Sequence, residues 1–227
     1  MKKIVIILIA LFQTGIYAQN ETLLNYEDDN GLRQGVWMEY NEKGNIKSLK
    51  TYLNSKVHGV SLTFFPERNG LKAQEYYHNS QFEGTQTYYD QGGRIVKIAE
   101  YKNGLLNGQV RNFYNNKNKK EELSFKNGLK HGVCIWYYEG GDKMSEYHYE
   151  NGKIIGTVTN YYTGGFVKST VPFVENEMEG KYLEFFRDGP KKVEGTYKKD
   201  KREGVWIYYL EDGKVEKKVK YKDGKKV

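Results

Sequence analysis

The chain has 227 residues, is 15% aromatic and carries a formal net charge of +7 at pH 7. This length suits one or two ordinary domains or a single repeat array. The aromatic content excludes a disordered chain, since disordered segments contain few aromatic residues. Glycine (25 residues) and tyrosine (21 residues) are abundant and proline is rare (3 residues), which favours strands joined by tight turns.

Residues 1–18 are typical of a signal peptide. Lys2 and Lys3 supply its positive start, residues 4–12 are apolar, and small residues lead to Ala18. The apolar run is too short for a comfortable transmembrane helix, although an uncleaved N-terminal anchor is an alternative. We therefore expect an exported protein that is periplasmic, secreted or on the outer surface.

The mature chain offers little other compositional guidance. Loss of Lys2 and Lys3 would leave a net charge of +5, and we expect the remaining charge to be spread through the turns as a solvated surface. That charge gives only weak support for an anionic partner. Cys134 is the one cysteine, so no intramolecular disulfide can form, and we interpret it as a small apolar strand residue.

The strongest signal is a repeat of about 24 residues. One glycine recurs at spacings of 24 residues, with a single spacing of 25, and defines position 0 of eight units: Gly35, Gly59, Gly84, Gly108, Gly132, Gly156, Gly180 and Gly204.

Two aromatic positions follow each of these glycines. Position +5 is occupied by Tyr40, Phe64, Tyr89, Phe113, Tyr137, Tyr161, Phe185 and Tyr209. Position +17 is occupied by Tyr52, Tyr76, Tyr101, Phe125, Tyr149, Phe173, Tyr197 and Tyr221. The stretches between turns are rich in tyrosine, valine and tryptophan, which favour strands.

Further glycines mark two turns per unit. A second glycine lies at +9 in six units, and Asn-Gly or Asp-Gly occupies +19 and +20 in four, including Asn103-Gly104 and Asp223-Gly224. Such pairs tolerate positive φ at both residues and suit two-residue hairpin turns. We predict the same turn at +8 and +9 for Asp188-Gly189 and Asp212-Gly213.

The turns fix a register. With a turn at +8 and +9, the +17 ring lies directly opposite the glycine at 0, where an aromatic ring can cover exposed backbone. Alternation puts +1, +3 and +5 on one face and +2, +4, +6 and +17 on the other. A bulge at the glycine would change this parity, and the sequence leaves both arrangements open.

The predicted fold is all-β: an elongated antiparallel meander of about eight stacked β-hairpin repeats, with about sixteen strands. Residues 19–34 form an N-terminal capping half-repeat, and residues 35–227 form the eight repeats with a C-terminal half-repeat cap. Three units depart from the pattern. The second has one extra residue, the fourth lacks the glycine at +9, and Pro172 in the sixth predicts a bulge or a break in pairing.

Two segments carry a resemblance to a known family. Residues 204–209 (GVWIYY) with 221–225 (YKDGK), and residues 149–153 (YENGK), resemble the MORN repeat in its bacterial variant form. The resemblance covers nearly all of residues 26–227 and implies a repeat architecture. It also implies an antitoxin-like label for some members, and links to membrane surfaces, lipids and protein scaffolding for others.

The sequence offers no catalytic, metal or cofactor site. His58 and His131 both occupy position −1 and are interpreted as turn residues, and no Cys/His cluster has the spacing of metal ligands. No nucleophile elbow or phosphate loop is present. We predict that the protein is not an enzyme.

The aromatic rings are the remaining candidates for function. The +5 and +17 rings are predicted to be the core of a thin sheet. Doubled aromatics place a second ring at +6, which predicts a candidate binding surface made of Phe65, Tyr114, Tyr138, Tyr162 and Phe186.

Several roles are compatible with this pattern. The first is a protein-interaction scaffold with an unknown protein partner, which suits an elongated repeat surface; an antitoxin-like role would be a special case. The second is binding of envelope glycan or anionic lipid through an aromatic ladder, and an adhesin-like surface protein is a third. Nucleic acid is disfavoured, since the chain is expected to be exported and its lysines do not alternate with aromatics as in single-strand binders.

Overall fold

A computed structural model describes residues 24–67 and 70–227. These residues form one long open antiparallel sheet of 21 strands in a hairpin meander. The prediction of an all-β repeat array is thereby confirmed. The proposed signal peptide lies outside the described residues. Within the described ranges, no helix has both the length and the apolar character needed to cross a membrane.

The strands follow the chain in order. The first eleven are β1 Tyr26–Glu27, β2 Arg33–Tyr40, β3 Ile46–Leu53, β4 Lys56–Phe64, β5 Leu71–His78, β6 Gln81–Phe82, β7 Gly84–Tyr89, β8 Ile95–Lys102, β9 Leu105–Phe113, β10 Lys119–Lys126 and β11 Leu129–Lys130. The other ten are β12 Gly132–Tyr137, β13 Lys143–Glu150, β14 Lys153–Tyr161, β15 Val167–Val174, β16 Glu177–Met178, β17 Gly180–Phe185, β18 Lys191–Lys198, β19 Lys201–Tyr209, β20 Val215–Lys222 and β21 Lys225–Lys226.

The structure has 21 strands where about sixteen were predicted, because some predicted strands are interrupted and two short strands are added at the ends. Three predicted strands are each divided in two at the residue before a repeat glycine, namely Glu83, His131 and Glu179. Two further strands, β1 and β21, are two-residue segments at the ends of the array. The sixteen predicted strands therefore remain recognisable as the long segments of the meander.

The turn at +19 and +20 has the predicted conformation in seven units; in the second unit the extra residue moves the same turn to +20 and +21, Asn79 and Ser80. Both central residues have positive φ, as in Asn103 (50°) and Gly104 (78°), which is the requirement of a type I′ turn. Units without glycine there use other pairs, for example Lys199 (48°) and Asp200 (64°). The hairpin needs the turn conformation, and glycine is only one way to supply it.

The turn near +9 differs from the prediction. In the eighth unit the Gly213 amide donates to the Leu210 carbonyl (2.9 Å), and the Leu210 amide donates to the Lys214 carbonyl (2.9 Å). Only Gly213 has positive φ (81°); Asp212 does not. These contacts describe a three-residue loop closed by a glycine bulge. The predicted two-residue turns at Asp188-Gly189 and Asp212-Gly213 are therefore wrong.

The predicted register is confirmed in seven units. The repeat glycine pairs with the +17 ring, as in Gly132 with Tyr149 and Gly204 with Tyr221. The second unit is the exception: Gly59 pairs with Tyr77 and not with the predicted Tyr76. The extra residue in this unit moves the register by one position. Tyr76 is accordingly 37% exposed.

The repeat glycine lies at a bulge. All eight have positive φ, between 67° for Gly35 and 116° for Gly108 and Gly180. Where two units meet, one residue of the earlier strand stands opposite three of the later one, as Gly195 does opposite residues 204–206. The bulge that the sequence left undecided is therefore present at the unit junctions. Pro172 lies opposite such a bulge, and its carbonyl accepts the Glu179 amide at 3.1 Å.

Burial distinguishes the two faces of the sheet. We call the face with positions +2, +4, +13, +15 and +17 the inner face, and the face with +1, +3, +14 and +16 the outer face. The inner face holds most of the buried side chains, with a central cluster of Ala99, Val110, Leu123 and Cys134. Cys134 is fully buried in β12, as expected of a small apolar strand residue.

Candidate binding surfaces

The +17 rings stand on the inner face as a ladder, and cationic side chains cover several of them. The guanidinium carbon of Arg33 lies 4.4 Å from the Trp37 ring centroid and 5.6 Å from that of Tyr52. The Lys130 ammonium lies 5.1 Å from the Trp136 ring and 5.0 Å from the Tyr149 ring. Position −2 thus supplies a cation that stabilises the rings through cation–π contact.

The eighth unit has the densest ring cluster. Trp206 is fully buried; its ring stacks on Tyr182 (5.4 Å between centroids) and meets Tyr197 edge-on (5.1 Å). Arg202 lies 4.3 Å above the Trp206 ring and donates to the Tyr221 hydroxyl at 3.2 Å. Every side of the indole is occupied by protein, so this cluster is core and not a binding surface.

The +5 rings lie at mixed depth. Tyr137 is buried (8% exposed), whereas Tyr40 is 58% exposed; the other six are half-buried. In three units a lysine at +11 pairs with a glutamate at +14, as in Lys119–Glu122 (2.6 Å) and Lys143–Glu146 (2.7 Å). These Lys–Glu pairs lie beside the +5 ring of the next unit. Sequence reasoning missed them, although both positions recur with the repeat.

Glu194 belongs to the third of these pairs. It accepts a short hydrogen bond from the Tyr209 hydroxyl and forms ion pairs with Lys181 (3.2 Å) and Lys191 (3.3 Å). The Tyr209 hydroxyl, followed by the two lysines, lowers the pKa of the Glu194 carboxyl from 4.5 to about 2. The carboxyl therefore stays ionised in the folded protein under acidic conditions.

This pKa predicts an acid-sensitive contribution to stability. The folded pKa lies below the unfolded one, so the stabilisation is present above about pH 4.5 and is lost as the pH falls toward 2. We expect Glu194→Gln to reduce the free energy of unfolding by about 1–2 kcal/mol at neutral pH and by much less at about pH 3. Urea unfolding at both pH values measures this difference. The control is Glu211→Gln at an exposed turn, whose free energy of unfolding should equal that of the wild type at both pH values.

The candidate binding surface at +6 has a structural contact in three of its five positions. The hydroxyls of Tyr114, Tyr138 and Tyr162 each donate to the +5 carbonyl of the next unit, at 2.8, 2.9 and 3.0 Å respectively. All five residues of the surface, including Phe65 and Phe186, are half-buried. The tyrosines therefore link consecutive units, and the rings are only partly available to a ligand.

Removing one such link should have a measurable cost. We expect Tyr138→Phe to lower the free energy of unfolding by about 1 kcal/mol, because it leaves the Tyr161 carbonyl without this donor while keeping the ring. Chemical denaturation followed by circular dichroism measures the change. Tyr26→Phe, at a tyrosine 41% exposed, is the matched control. An equal change in both variants would contradict the linking role.

The histidines are placed differently from the prediction. His58 lies inside β4 and His131 at the interruption between β11 and β12, so both are bulge residues and not turn residues. The Nδ1 atoms of both are buried without a hydrogen-bond partner in the structure. The His58 and His78 rings lie 4.8 Å apart. Among the described residues, no group of three His, Cys, Asp or Glu side chains could hold a metal ion.

A groove of about 730 Å³ lies at the +9 turns of the first two units. Tyr40 and Phe64 contribute rings to its lining, together with Glu39, Lys43 and Lys50 among other charged side chains. The Ser48 hydroxyl donates to Glu39 at 2.8 Å and lowers the pKa of the Glu39 carboxyl. The groove thus combines exposed aromatic surface with charges of both signs.

The charge distribution differs from the prediction. Residues 191–227 carry 13 Lys and Arg against 7 Asp and Glu, a net charge of +6 out of the +7 of the whole chain. The expectation that the charge is spread through the turns rather than clustered is therefore wrong. Positive charge is concentrated in the last two units, and in the eighth unit lysine occupies +14 and +16, where the other units have neutral or acidic residues.

Comparison with known proteins identifies the repeat. The sequence profile of the MORN repeat variant matches residues 33–54, 82–103, 106–127, 130–151 and 202–223. Each segment runs from position −2 to position +19 of one unit. The matched units are the first, third, fourth, fifth and eighth. The second and sixth units, which lie outside these matches, carry the extra residue and Pro172 respectively.

Other comparisons give little. No curated protein matches the sequence. Two solved structures with some similarity are the crystal structures of TcdB2-TccC3-Cdc42 (10% identity, TM-score 0.22, 79% of this chain and 12% of that chain) and of TcdB2-TccC3-TEV (12% identity, TM-score 0.20, 82% and 12%). This chain spans 12% of the length of either, and TM-scores this low do not indicate a shared fold. The five profile matches, on a sheet built of the same hairpin unit throughout, place the chain in the MORN repeat variant family.

Proposed function

We propose that the protein is an exported, non-catalytic scaffold that binds another protein. The observation that carries this proposal is the continuous sheet formed by all eight units, which offers an extended surface to a large partner. The outer face exposes apolar side chains at position +1, with Val133 38% and Val205 51% exposed. Exposed apolar side chains among charged ones are typical of protein-binding surfaces.

The chemistry of the described residues supports a binding role over catalysis. Burial, with Glu75 nearby, raises the pKa of Tyr77 and raises that of Tyr88 to about 12. Burial likewise raises the pKa of the Cys134 thiol. These groups stay protonated and pack within the sheet, which is the opposite of what a nucleophile or general base requires.

The signal-peptide pattern of residues 1–18 supports the exported part of the proposal. An antitoxin-like role would be a special case in which the partner is a toxin. An exported chain would meet such a toxin in the periplasm or outside the cell, and not in the cytoplasm.

A crosslinking pull-down from intact cells tests the scaffold, with a tagged chain of residues 19–227 as bait and mass spectrometry as readout. We expect one dominant protein partner at fixed stoichiometry. Its capture should survive alanine at the +6 rings, because these rings are half-buried and the three tyrosines among them bind the next unit, and should be lost when a terminal unit is deleted. Circular dichroism of each bait confirms that it is folded. A bait that recovers no protein above background contradicts the scaffold.

The alternative is binding of envelope glycan or anionic lipid through aromatic rings. The groove beside Tyr40 and Phe64 favours it, because sugar rings pack on exposed aromatic faces and charged neighbours can bind their hydroxyls. Co-sedimentation of the same bait with wall or membrane fragments, without a protein partner, would support this alternative. Salt-sensitive binding to anionic vesicles would specify the lipid form of it.

A further inference from the structure

The last two units carry a group of lysines on the outer face of the sheet. In the eighth unit positions +14, +16 and +18 are all lysine, a combination that no other unit has. We define the lysine face by six residues: Lys198, Lys201, Lys218, Lys220, Lys222 and Lys225.

Strand pairing places these side chains on one face. Lys218 pairs with Ile207, which in turn pairs with Glu194, so side chains at these three positions point the same way. Lys220 and Lys222 follow Lys218 at alternate positions of β20 and share its face. Lys225 pairs directly with Lys222. Lys198 and Lys201 form the same pair one unit earlier.

Three acidic residues near the lysine face, Glu194, Glu203 and Asp200, already have partners. Glu194 binds Tyr209 and two lysines outside the face. Glu203 accepts the amide of Asp223 at 2.9 Å, and the carboxyl of Asp200 accepts the amide of Met178 at 2.7 Å. These carboxylates serve the backbone of the turns and the Lys–Glu pair.

The lysines themselves are available. All six are exposed. In the described part of the chain, none of the six forms an ion pair within 4.0 Å. The face is therefore a concentrated positive surface whose charge is not neutralised within the sheet, and such a surface attracts an anionic partner.

Spacing and chemistry indicate which anionic partner fits. Lysines at alternate strand positions repeat at about 6.8 Å, which is also the repeat of every second side chain in an extended peptide. Elsewhere on the outer face, lysines already bind carboxylates, as in Lys119–Glu122 at 2.6 Å. We propose that the lysine face binds an extended acidic segment of a partner protein, with carboxylates at alternate residues along β20. This inference rests on the proposed scaffold function for its choice of a protein partner.

Purified protein and synthetic peptides test the inference without knowledge of the partner. One fluorescent peptide alternates glutamate and serine; a second has the same composition with the glutamates in one block. We expect the alternating peptide to bind at least about fivefold more tightly, with affinity that falls as salt rises. Equal binding of the two peptides would overturn the match in spacing.

Matched variants separate the lysine face from net charge. The triple variant Lys218→Gln, Lys220→Gln, Lys222→Gln should lose affinity for the alternating peptide about tenfold. The control, Lys43→Gln, Lys47→Gln, Lys72→Gln, removes the same charge at exposed positions of the first two units and should change affinity less than about twofold. Similar losses in both variants would overturn the proposal. Circular dichroism verifies that both are folded.

Competition distinguishes other anions. Displacement of the bound peptide by inorganic polyphosphate or anionic vesicles at lower concentration than by free alternating peptide would overturn the choice of a carboxylate partner. If the lysine face does not bind the acidic peptide but the pull-down recovers a partner through another surface, the proposed scaffold function still holds. Conversely, peptide binding with an empty pull-down would contradict the scaffold in the cell while keeping the specificity of the lysine face.

Discussion

Replacing Trp206 with alanine should destabilise the C-terminal units by about 3–5 kcal/mol, the usual cost of truncating a buried tryptophan. The side chain is fully buried and contacts the rings of Tyr182 and Tyr197 and the guanidinium of Arg202. Its loss leaves a cavity that the rigid rings of Tyr182 and Tyr197 cannot refill. Unfolding in urea, followed by the fluorescence of the remaining tryptophans and by circular dichroism, measures the change.

Trp37→Ala is the matched control, since Trp37 occupies the same +2 position in the first unit but is only half-buried. It contacts one aromatic ring, Tyr52, and one cation, Arg33. We expect its cost to be clearly smaller than that of Trp206→Ala. If the two substitutions cost the same, burial of the ring cluster would not be the source of stability in the eighth unit.

The second large effect is expected at Gly195. A Cβ at this position would overlap ring atoms Cδ2 and Cε2 of Trp206 and would lie 2.7 Å from its Cγ. The contacting atoms belong to a rigid, fully buried indole, so the strand or the ring has to move. We expect Gly195→Ala to cost about 2–3 kcal/mol, in the range of other over-packed cores, and thermal or urea unfolding measures it.

Two further variants assign this cost to the ring. Gly140→Ala is the control, since a Cβ there meets no atom within 4 Å, and we expect it to be near neutral. The double variant Gly195→Ala, Trp206→Val should cost less than the sum of its parts, because it removes the indole atoms that the new Cβ would overlap. Valine is a suitable replacement, since it fills the +2 position in other units, as Val110 and Val158 do. Strict additivity would show that Gly195 is needed for its backbone and not for the space it leaves.

Much of the fold was predictable because the repeat presents the same local signals eight times. The type I′ turns and the pairing of glycine with the +17 ring follow from short-range sequence rules. Two details were not predictable in this way. The bulges at the unit junctions depend on how one hairpin packs on the next, and the extra residue in the second unit moved the pairing from Tyr76 to Tyr77.

The candidate surfaces were less predictable than the fold. A doubled aromatic such as Tyr137-Tyr138 does not reveal that the second hydroxyl binds the next unit, because that contact spans 23 residues. The lysine face is similar: Lys218 and Lys225 share one face only through the register of β19, β20 and β21, in which Lys218 pairs with Ile207 and Lys225 with Lys222. A count of charge over residues 191–227 would have indicated the concentration, though not the face.

The hydroxyl links between units have a mechanical consequence. Consecutive hairpins are joined by strand pairing, and the fourth to seventh units are also joined by one tyrosine hydroxyl at each junction, whereas units that are not adjacent in sequence share few contacts. A chain under tension at its two ends would therefore release hairpins one after another from the ends. Each released unit would add roughly 80 Å of extended chain, so the array would lengthen in steps under load.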